Sequence, residues 1–463
     1  MLLGPLTKKV KNIHMIGIGG SGMNGIAEIL LNLGFMVSGS DLNSTAVTKH
    51  LESLGANIFK GHSAKNVSSC DAVVYSSAVK DDNPEIRAAR ERKIPVIKRP
   101  EMLAELMRMK YGICIAGTHG KTSTTSMVGQ VLTQGDIDPT IIVGGKVTDF
   151  GGGAKIGQSH YLVLEADEYD RTFLKLTPVI AAVTNIDLEH LDCYEDIDDI
   201  KAAFVKFVNK VPFWGSVILC IDNLGVQSII PEIERRIITY GVSAQAEIRA
   251  VNIVYEGIKT TFDVVANGKE MGSITLNVPG THNVRNALAA ITIAMEMEIP
   301  FNIISSSLAE YVSVERRFQI IGESSGIMVV DDYAHHPTEI IASLEGIRAG
   351  FDKRIIAIFQ PHLYSRTRDF YEDFGRSFME TDMLFVTDIF PSREKPIKGV
   401  AGSMVSDAAA AAGHRSTRFI PDRNDLIEAV AECAVSGDIV VTFGAGDVNK
   451  IGYDLLDVFR KRG

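Results

Sequence analysis

An apolar run, Ile113-Cys-Ile-Ala116, passes straight into Gly117-Thr118-His119-Gly120-Lys121-Thr122-Ser123, and no other feature constrains the fold so tightly. A buried strand must end there, two glycines must turn the chain, and a helix must open on the Lys-Thr pair. Such a strand–turn–helix aims backbone N–H groups and a helix N-terminus at one spot, the geometry that holds a polyphosphate. Lys121 then reaches the outer phosphates, and the Thr122 hydroxyl is placed to ligate Mg²⁺. The loop is shorter than the usual G-x-x-x-x-G-K-[ST], because Ile115 stands where that pattern has its first glycine. A Gly-Lys-Thr in a surface turn would carry no such meaning. The flanking strand and helical run give it one, and the expectation is a nucleoside triphosphate site.

Two further apolar strands follow. Tyr161-Leu-Val-Leu-Glu165 delivers a carboxylate at its end, and Val179-Ile-Ala-Ala-Val183 leads to Thr184-Asn-Ile-Asp187-Leu-Glu-His190. In a parallel sheet the strand ends line one crevice, so Glu165 and His190 are expected beside the phosphate loop. With Thr122 they would form the protein's share of a Mg²⁺ shell, the rest being water and phosphate. Lys121, Glu165 and His190 are the expected catalytic set. Without that placement, the acidic run from Glu165 to Asp170 reads as a solvated turn and His190 as an ordinary loop histidine.

Composition sets the frame. With 463 residues, 46% of them hydrophobic, the chain has room for two to three domains with proper cores. A net charge of −10 argues against nucleic acid or an anionic membrane as the main partner. Cys70, Cys114, Cys193, Cys220 and Cys433 are scattered without a C-x-x-C, which indicates neither a disulfide framework nor a zinc site. No stretch approaches the ~20 apolar residues of a membrane span, and the opening Met1-Leu-Leu-Gly-Pro-Leu lacks a signal-peptide core. The expectation is a cytoplasmic enzyme without membrane insertion, a monomer or homodimer.

Alternating strand and helix patterns divide the chain into α/β regions of residues 1–110, 111–312 and 313–463. In the first, strands read at Ile13–Ile16, Phe35–Val37, Asn57–Phe59, Ala72–Tyr75 and Pro95–Ile97. The second is a P-loop-type ATPase unit that changes character after Tyr240. There Ala246–Val254, Lys259–Val265 and Ser273–Val278 alternate like antiparallel strands, Asn267-Gly268 signals a hairpin, and His282–Met297 reads as a helix. The third is again Rossmann-like, with strands at Ile327–Val330, Ile355–Phe359, Met383–Val386 and Ile439–Phe443.

The N-terminal region carries a second phosphate motif. Gly17-Ile-Gly19-Gly20-Ser-Gly22 follows a strand and opens a helix, and Asp41 closes the next strand. Alone it matches the dinucleotide fingerprint of an NAD-dependent dehydrogenase. The same physics binds any diphosphate, and a complete second phosphate site at Lys121 is superfluous for a dehydrogenase.

Five motifs together carry a resemblance: Gly117-Thr-His-Gly-Lys-Thr122, Glu165-Ala-Asp-Glu168, Thr184-Asn-Ile-Asp-Leu-Glu-His190, His282-Asn283-Val-Arg-Asn286 and Asp331-Asp332-Tyr333-Ala-His335-His336-Pro-Thr338. In this order, over essentially the whole chain, the sequence resembles the Mur ligase family. The resemblance implies ATP-dependent ligation of L-alanine to the lactyl carboxylate of UDP-N-acetylmuramate through an acyl phosphate, with Mg²⁺, in peptidoglycan synthesis. It implies that Gly17, Gly19, Gly20, Gly22 and Asp41 hold the UDP moiety rather than NAD. It also implies that Gly117 to Ser123, Asn283, Asn286, Arg317, Asp332 and Tyr333 face ATP, the two asparagines at its adenine end. His335 faces the incoming amino acid, and the stretch holding His362 and Arg366 is where its carboxylate is expected.

Two departures stand out. Leu363 replaces an arginine found in many relatives, and no lysine falls in step with the carbamoylated lysine of several sister ligases, whose place is near Val205. Within the family the alternative is the recycling ligase that joins a preformed tripeptide to the same sugar nucleotide. By resemblance, Gly17 to Met23 and Val211-Pro-Phe-Trp-Gly215 favour alanine.

Overall fold

The computed structural model describes residues 10–20, 22–76, 78–147, 152–189, 193–392 and 394–462. Among them the chain forms three sheets. The first contains β1 (Asn12–Ile16), β2 (Met36–Asp41), β3 (Asn57–Lys60), β4 (Ala72–Tyr75) and β5 (Val96–Lys98), all parallel in the order β3-β2-β1-β4-β5. Strand order reverses at β1, and the glycine loop leaves β1 at that switch point, where such sheets bind ligands. Helix α1 (Met23–Asn32) buries Met23, Ile26, Ala27 and Leu30, one face at helical spacing. β2 runs on to Asp41, past the apolar Phe35–Val37, because Ser38-Gly-Ser40 is polar but small and Ser40 is fully buried.

The second sheet holds β6 (Tyr111–Ala116), β7 (Thr140–Val147), β8 (Gly152–Lys155), β9 (Tyr161–Ala166), β10 (Ile180–Val183), β11 (Ser216–Cys220), β12 (Ile237–Gly241), β13 (Ile248–Glu256), β14 (Lys259–Ala266) and β15 (Lys269–Leu276). Its order is β15-β14-β13-β12-β11-β10-β6-β9-β7-β8. β6 lies between β10 and β9, parallel to both, and is buried after Tyr111, which is why it reads as an unbroken apolar run. Asn267 and Gly268 join β14 to β15 with φ of 49° and 81°, a primed hairpin turn that makes these neighbours antiparallel. Helix α2 (Lys121–Gln134) follows β6, and helix α3 (Thr281–Glu296) follows β15.

The third sheet contains β16 (Gln319–Ser324), β17 (Ile327–Asp332), β18 (Ile355–Phe359), β19 (Met383–Val386), β20 (Thr417–Phe419) and β21 (Ile439–Phe443), in the order β16-β17-β21-β18-β19-β20. Only the β16–β17 pair is antiparallel. Alternate residues feed two cores: Ile355, Ala357 and Phe359 one face, Ile356 and Ile358 the other. Helices α4 (Pro337–Gly350) and α5 (Tyr364–Ser377) follow β17 and β18.

Packing divides the chain into two compact units. One runs through Val251 and adds Asp263–Ile274 and Arg285–Tyr311; the other holds Asn252–Phe262, Thr275–Val284 and the residues from Val312 onward. Within the first unit one continuous apolar cluster extends from Ile13, Met23 and Leu30 through Leu103 and Met107 to Cys114, Leu164 and Val183, and another gathers Ile16, Val73 and Ile86. No helix among the described residues is long and apolar enough to cross a membrane.

Candidate nucleotide and substrate sites

The loop between β6 and α2 is shaped by the segment after β10. The Thr184 hydroxyl donates to the His119 carbonyl at 2.7 Å, and the Asn185 amide brackets His119, accepting its N–H at 2.7 Å and donating to its carbonyl at 3.0 Å. The Thr118 N–H donates to the Asn185 carbonyl at 3.1 Å, and the Asp187 N–H to the Thr118 hydroxyl at 2.9 Å. Gly117 adopts a φ of +132°, and a Cβ there would lie 2.1 Å from the Thr184 hydroxyl, so only glycine fits. Gly120 precedes α2 in the left-handed region, and the first turn of α2 contains no acidic residue to neutralise its positive end.

Lys121 bends back over this loop. Its Nζ donates to the carbonyls of Gly117 at 2.6 Å and Thr118 at 3.0 Å, and to Glu168 Oε2 at 2.8 Å. The lysine side chain is 16% exposed and that of Glu168 2%. Burial pushes the ammonium pKa down, but Glu168 and Asp167 outweigh it and the net shift is upward. Asn286 of α3 sets its amide oxygen against the same loop and accepts the Thr124 hydroxyl at 3.1 Å. Thr124 lies on the first turn of α2, so this contact ties α3 to the start of the helix that Lys121 opens.

Glu165 sits near the end of β9, in register with Ile115 of the adjacent β6, and Thr122 is the second residue of α2. His190 lies outside the described residues. No three His, Cys, Asp or Glu side chains among the described residues converge as a protein-only metal cage. A hydroxyl from the first turn of α2 and a carboxylate near the end of β9 suit a hard divalent cation that takes its other oxygens from phosphate and water.

The N-terminal glycine loop is built the same way. The N–H groups of Gly17 and Ile18 donate to the Ser40 carbonyl at 2.8 and 3.2 Å, and the Gly20 N–H to the Gly17 carbonyl at 3.0 Å. Asp41 takes the Gly19 N–H at 3.1 Å on one oxygen and the Asn43 N–H at 3.2 Å on the other. Gly22 opens α1, again without an acid in the first turn, and the Arg99 guanidinium lies beside it, 2.7 Å from where a Cβ would stand. Beneath β2, fully buried Glu85 accepts from the Ser40 hydroxyl and the Asn66 amide, both at 2.6 Å. Burial pushes its carboxyl up, yet His14 beside it and the hydrogen bonds from Ser40 and Asn66 prevail and hold it at about 2.

In the second unit β17 ends in two acids. Asp331 pairs with Arg316 at 2.8 Å. Asp332 accepts from the Ser343 hydroxyl at 2.8 Å and the N–H groups of Ala334 and Phe318 at 2.9 and 3.3 Å. Burial lifts its carboxyl to about 6, against the pull of Arg317. Arg316 and Arg317 both lie over the Tyr333 ring, at 5.1 and 5.4 Å. Arg317 also pairs with Glu339 of α4 at 3.2 Å, and Glu339 takes the His335 N–H at 3.1 Å. The His335 ring contacts Tyr333 at 5.3 Å and His362 at 5.9 Å, and His362 Nδ1 is 3.4 Å from the Arg366 guanidinium. Burial, then Arg366, pushes His362 down to about 4, so it accepts as a neutral ring. Asn283 donates to the Pro279 carbonyl at 2.8 Å.

Thus Gly117 to Ser123, Glu165 and Asn286 gather around α2; Gly17, Gly19, Gly20, Gly22 and Asp41 around α1; and Arg317, Asp332, Tyr333, His335, His362 and Arg366 at the ends of β17 and β18. The sequence reading gave no role to Glu168, Asn185, Arg99, Glu339 or Arg316. Glu168 and Asn185 stand inside quoted motifs, which was a usable signal; Arg99 has none.

The comparisons with known proteins cover all three sheets. Residues 12–111 match the model described as Mur ligase family, catalytic domain; 115–294 the Mur ligase middle domain; and 316–446 the Mur ligase, glutamate ligase domain. The chain is 51% identical to the UDP-N-acetylmuramate–L-alanine ligase of Geotalea daltonii, covering 98% of this chain and 99% of that one. It is 50% identical to the ligase of the same name from Salinibacter ruber, covering 99% and 97%. The crystal structure of UDP-N-acetylmuramate-alanine ligase from Thermotoga maritima is similar with a TM-score of 0.79 at 28% identity, covering 98% of this chain and all of that one. A murein peptide ligase from Psychrobacter arcticus gives 0.67 at 25% identity, covering 97% and 99%.

Proposed function

The chain belongs to the Mur ligase family, and from that premise we propose that it joins L-alanine to the lactyl carboxylate of UDP-N-acetylmuramate with cleavage of ATP, a cytoplasmic step of peptidoglycan synthesis. The observation that carries the reading is the Gly117–Ser123 loop at the end of β6, in a chain similar over its length to ligases of that name. The division of labour follows: residues 1–110 for the UDP-sugar, 111–312 for ATP and 313–463 for the amino acid.

A carboxylate is a poor acylating agent, so it must first become a mixed anhydride. A lactyl carboxylate oxygen attacks the γ-phosphorus in line, the bond from phosphorus to the β,γ-bridging oxygen breaks, and ADP leaves. Lys121 stabilises charge on the transferring group, and the backbone N–H groups at the start of α2 hold the phosphates. Thr122 and Glu165, with His190, are the residues to hold Mg²⁺, which when bound draws charge off the phosphate oxygens. The alanine amine then attacks the acyl carbon, the carbon–oxygen bond to phosphate breaks, and the amine gives up a proton as the amide forms. Arg366 and the neutral His362, with His335 beside them, suit an amino acid's carboxylate. Arg99 and the amides of the Gly17–Gly22 loop suit the diphosphate of the sugar nucleotide.

Phosphate release from ATP and Mg²⁺ with UDP-N-acetylmuramate, comparing L-alanine, glycine, serine and tripeptide, tests the reading. L-Alanine should give the highest kcat/KM. Preference for the tripeptide would make the enzyme a recycling ligase, and NADH-dependent turnover without ATP would overturn the assignment altogether.

A further inference from the structure

Lys121 has three N–H donors, and all three are engaged within the protein. Two go to the carbonyls of Gly117 and Thr118, its own loop, and the third to the Glu168 carboxylate. Nothing is left for a phosphate oxygen unless one of these bonds is given up. The two carbonyls belong to a loop clamped by Thr184 and Asn185, whereas Glu168 is an anion competing for the same positive charge that a phosphate would take.

Glu168 is built to stay where it is. Its side chain is 2% exposed, so water is a poor substitute partner. Its backbone carbonyl accepts the hydroxyl of buried Tyr194 at 2.6 Å and the Arg171 N–H at 3.0 Å, and the Arg171 guanidinium lies over the Tyr194 ring at 4.6 Å. These contacts fix the start of the turn that carries the carboxylate.

We infer that Glu168 is the resting-state counter-ion of Lys121, a positioning residue that holds the loop lysine folded back until a nucleotide displaces it. The inference rests on the nucleotide reading of this loop and adds a direction to it. A lysine held in a non-binding arrangement lowers apparent affinity by the fraction of molecules so held. Glu168 therefore weakens nucleotide binding, while its pairing stabilises the empty protein. A residue that merely shaped the loop would do the opposite: its loss would weaken binding.

The test is calorimetric binding of ADP in excess EDTA to the full chain, wild type against Glu168→Gln, with thermal unfolding of both. The expected result is ADP binding tightened by roughly tenfold, equivalent to about 1.4 kcal/mol. The empty variant should melt below wild type, and added ADP should raise its melting temperature more than it raises that of wild type. ADP affinity equal to or weaker than wild type in a folded variant overturns the inference. Should Glu168→Gln fail to fold, Glu168→Asp keeps the charge but withdraws it by one methylene; tightening there supports the inference, and unchanged or weaker binding overturns it. Wild type that binds ADP neither in EDTA nor with Mg²⁺ would instead overturn the nucleotide reading, and where it binds only with Mg²⁺ the same comparison of wild type and variant is made with the metal present, so the two failures are distinct.

Discussion

The amide oxygen of Asn286 stands against Gly120, 2.7 Å from where a Cβ on that glycine would lie. It also accepts the hydroxyl of Thr124, so a helix from the far end of the central region braces the turn that opens α2. Asn286 is 7% exposed, and removing one partner of a buried hydrogen bond costs about 1–3 kcal/mol. Asn286→Ala should therefore lower kcat/KM for ATP by roughly tenfold or more, with the requirement for UDP-N-acetylmuramate unmoved. Asn286→Asp places a negative charge beside the phosphates and should lose more. An aspartate variant with wild-type ATP kinetics would show that this contact does not face the phosphates.

Lys121→Ala should abolish turnover while the fold survives. The lysine's proposed work is on phosphate charge, and losing such a clamp commonly costs several kcal/mol. Circular dichroism would check the fold and phosphate release the rate. Activity above about a tenth of wild type, roughly 1.4 kcal/mol, would sink the assignment. Lys121→Arg should fail as well, because the folded-back geometry accommodates a compact ammonium.

Several strands buried on both faces were legible because they are continuous apolar runs: β1, β4, β6, β18 and β21 lie where Ile13–Ile16, Ala72–Tyr75, Ile113–Ala116, Ile355–Phe359 and Ile439–Phe443 were read, whereas the equally buried β11 was not read. β16 and β20 escaped because they are edge strands, partly exposed and mixed in composition, and β20 is only three residues long. The two glycine loops were readable because local glycine spacing encodes their turns. Glu168 and Asn286 were harder, since what they do depends on Lys121 and Thr124, 47 and 162 positions away. Arg99 reaches the Gly22 turn from the start of another helix, and no local pattern announces such an approach.

Asp41→Ala should raise the requirement for UDP-N-acetylmuramate far more than that for ATP. Its carboxylate ties Gly19 to the end of β2, so its loss loosens the N-terminal loop and leaves the Lys121 loop intact. A hydrogen bond to a charged group contributes about 1.5–3 kcal/mol, or roughly 10- to 150-fold. Initial rates with each substrate varied would separate the two effects. An equal change in both requirements would count against two separate phosphate sites, and calorimetric binding of NAD would revive the dehydrogenase.

Asp332 predicts a pH signature. Burial lifts its folded-state pKa to about 6 from an ordinary 3.8. Between these values the folded chain keeps a proton that the unfolded chain has released. Its contribution to stability is therefore full below about 3.8 and is lost as pH rises through about 6. Asp332→Asn removes that dependence. Melting temperatures of both proteins between about pH 4 and 7 should show the difference moving in the variant's favour as pH rises. A difference constant across that range would mean that the carboxyl is not raised.

Arg366→Ala should raise the requirement for L-alanine and spare ATP binding. Alanine has a one-carbon side chain, and a methylene's worth of pocket supplies only ~1–3 kcal/mol of discrimination. Anchoring must come from the charged ends of the amino acid, and a carboxylate needs a cation. Leu363 cannot supply one; it adopts a φ of +71° at the entry to α5, unusual for a branched residue. Arg366, at the third position of α5, meets neutral His362, which in turn contacts His335. Arg368 is the internal control. The helical start separates the two arginines, and Arg368 is 54% exposed with its guanidinium on Asp369 at 2.7 Å. Kinetics of both alanine variants against varied L-alanine decide the matter: the Arg366 variant should lose at least tenfold in kcat/KM, about 1.4 kcal/mol, and the Arg368 variant little. If only Arg368→Ala changes the dependence, the clamp is misassigned; if neither does, the carboxylate is held elsewhere in the third region.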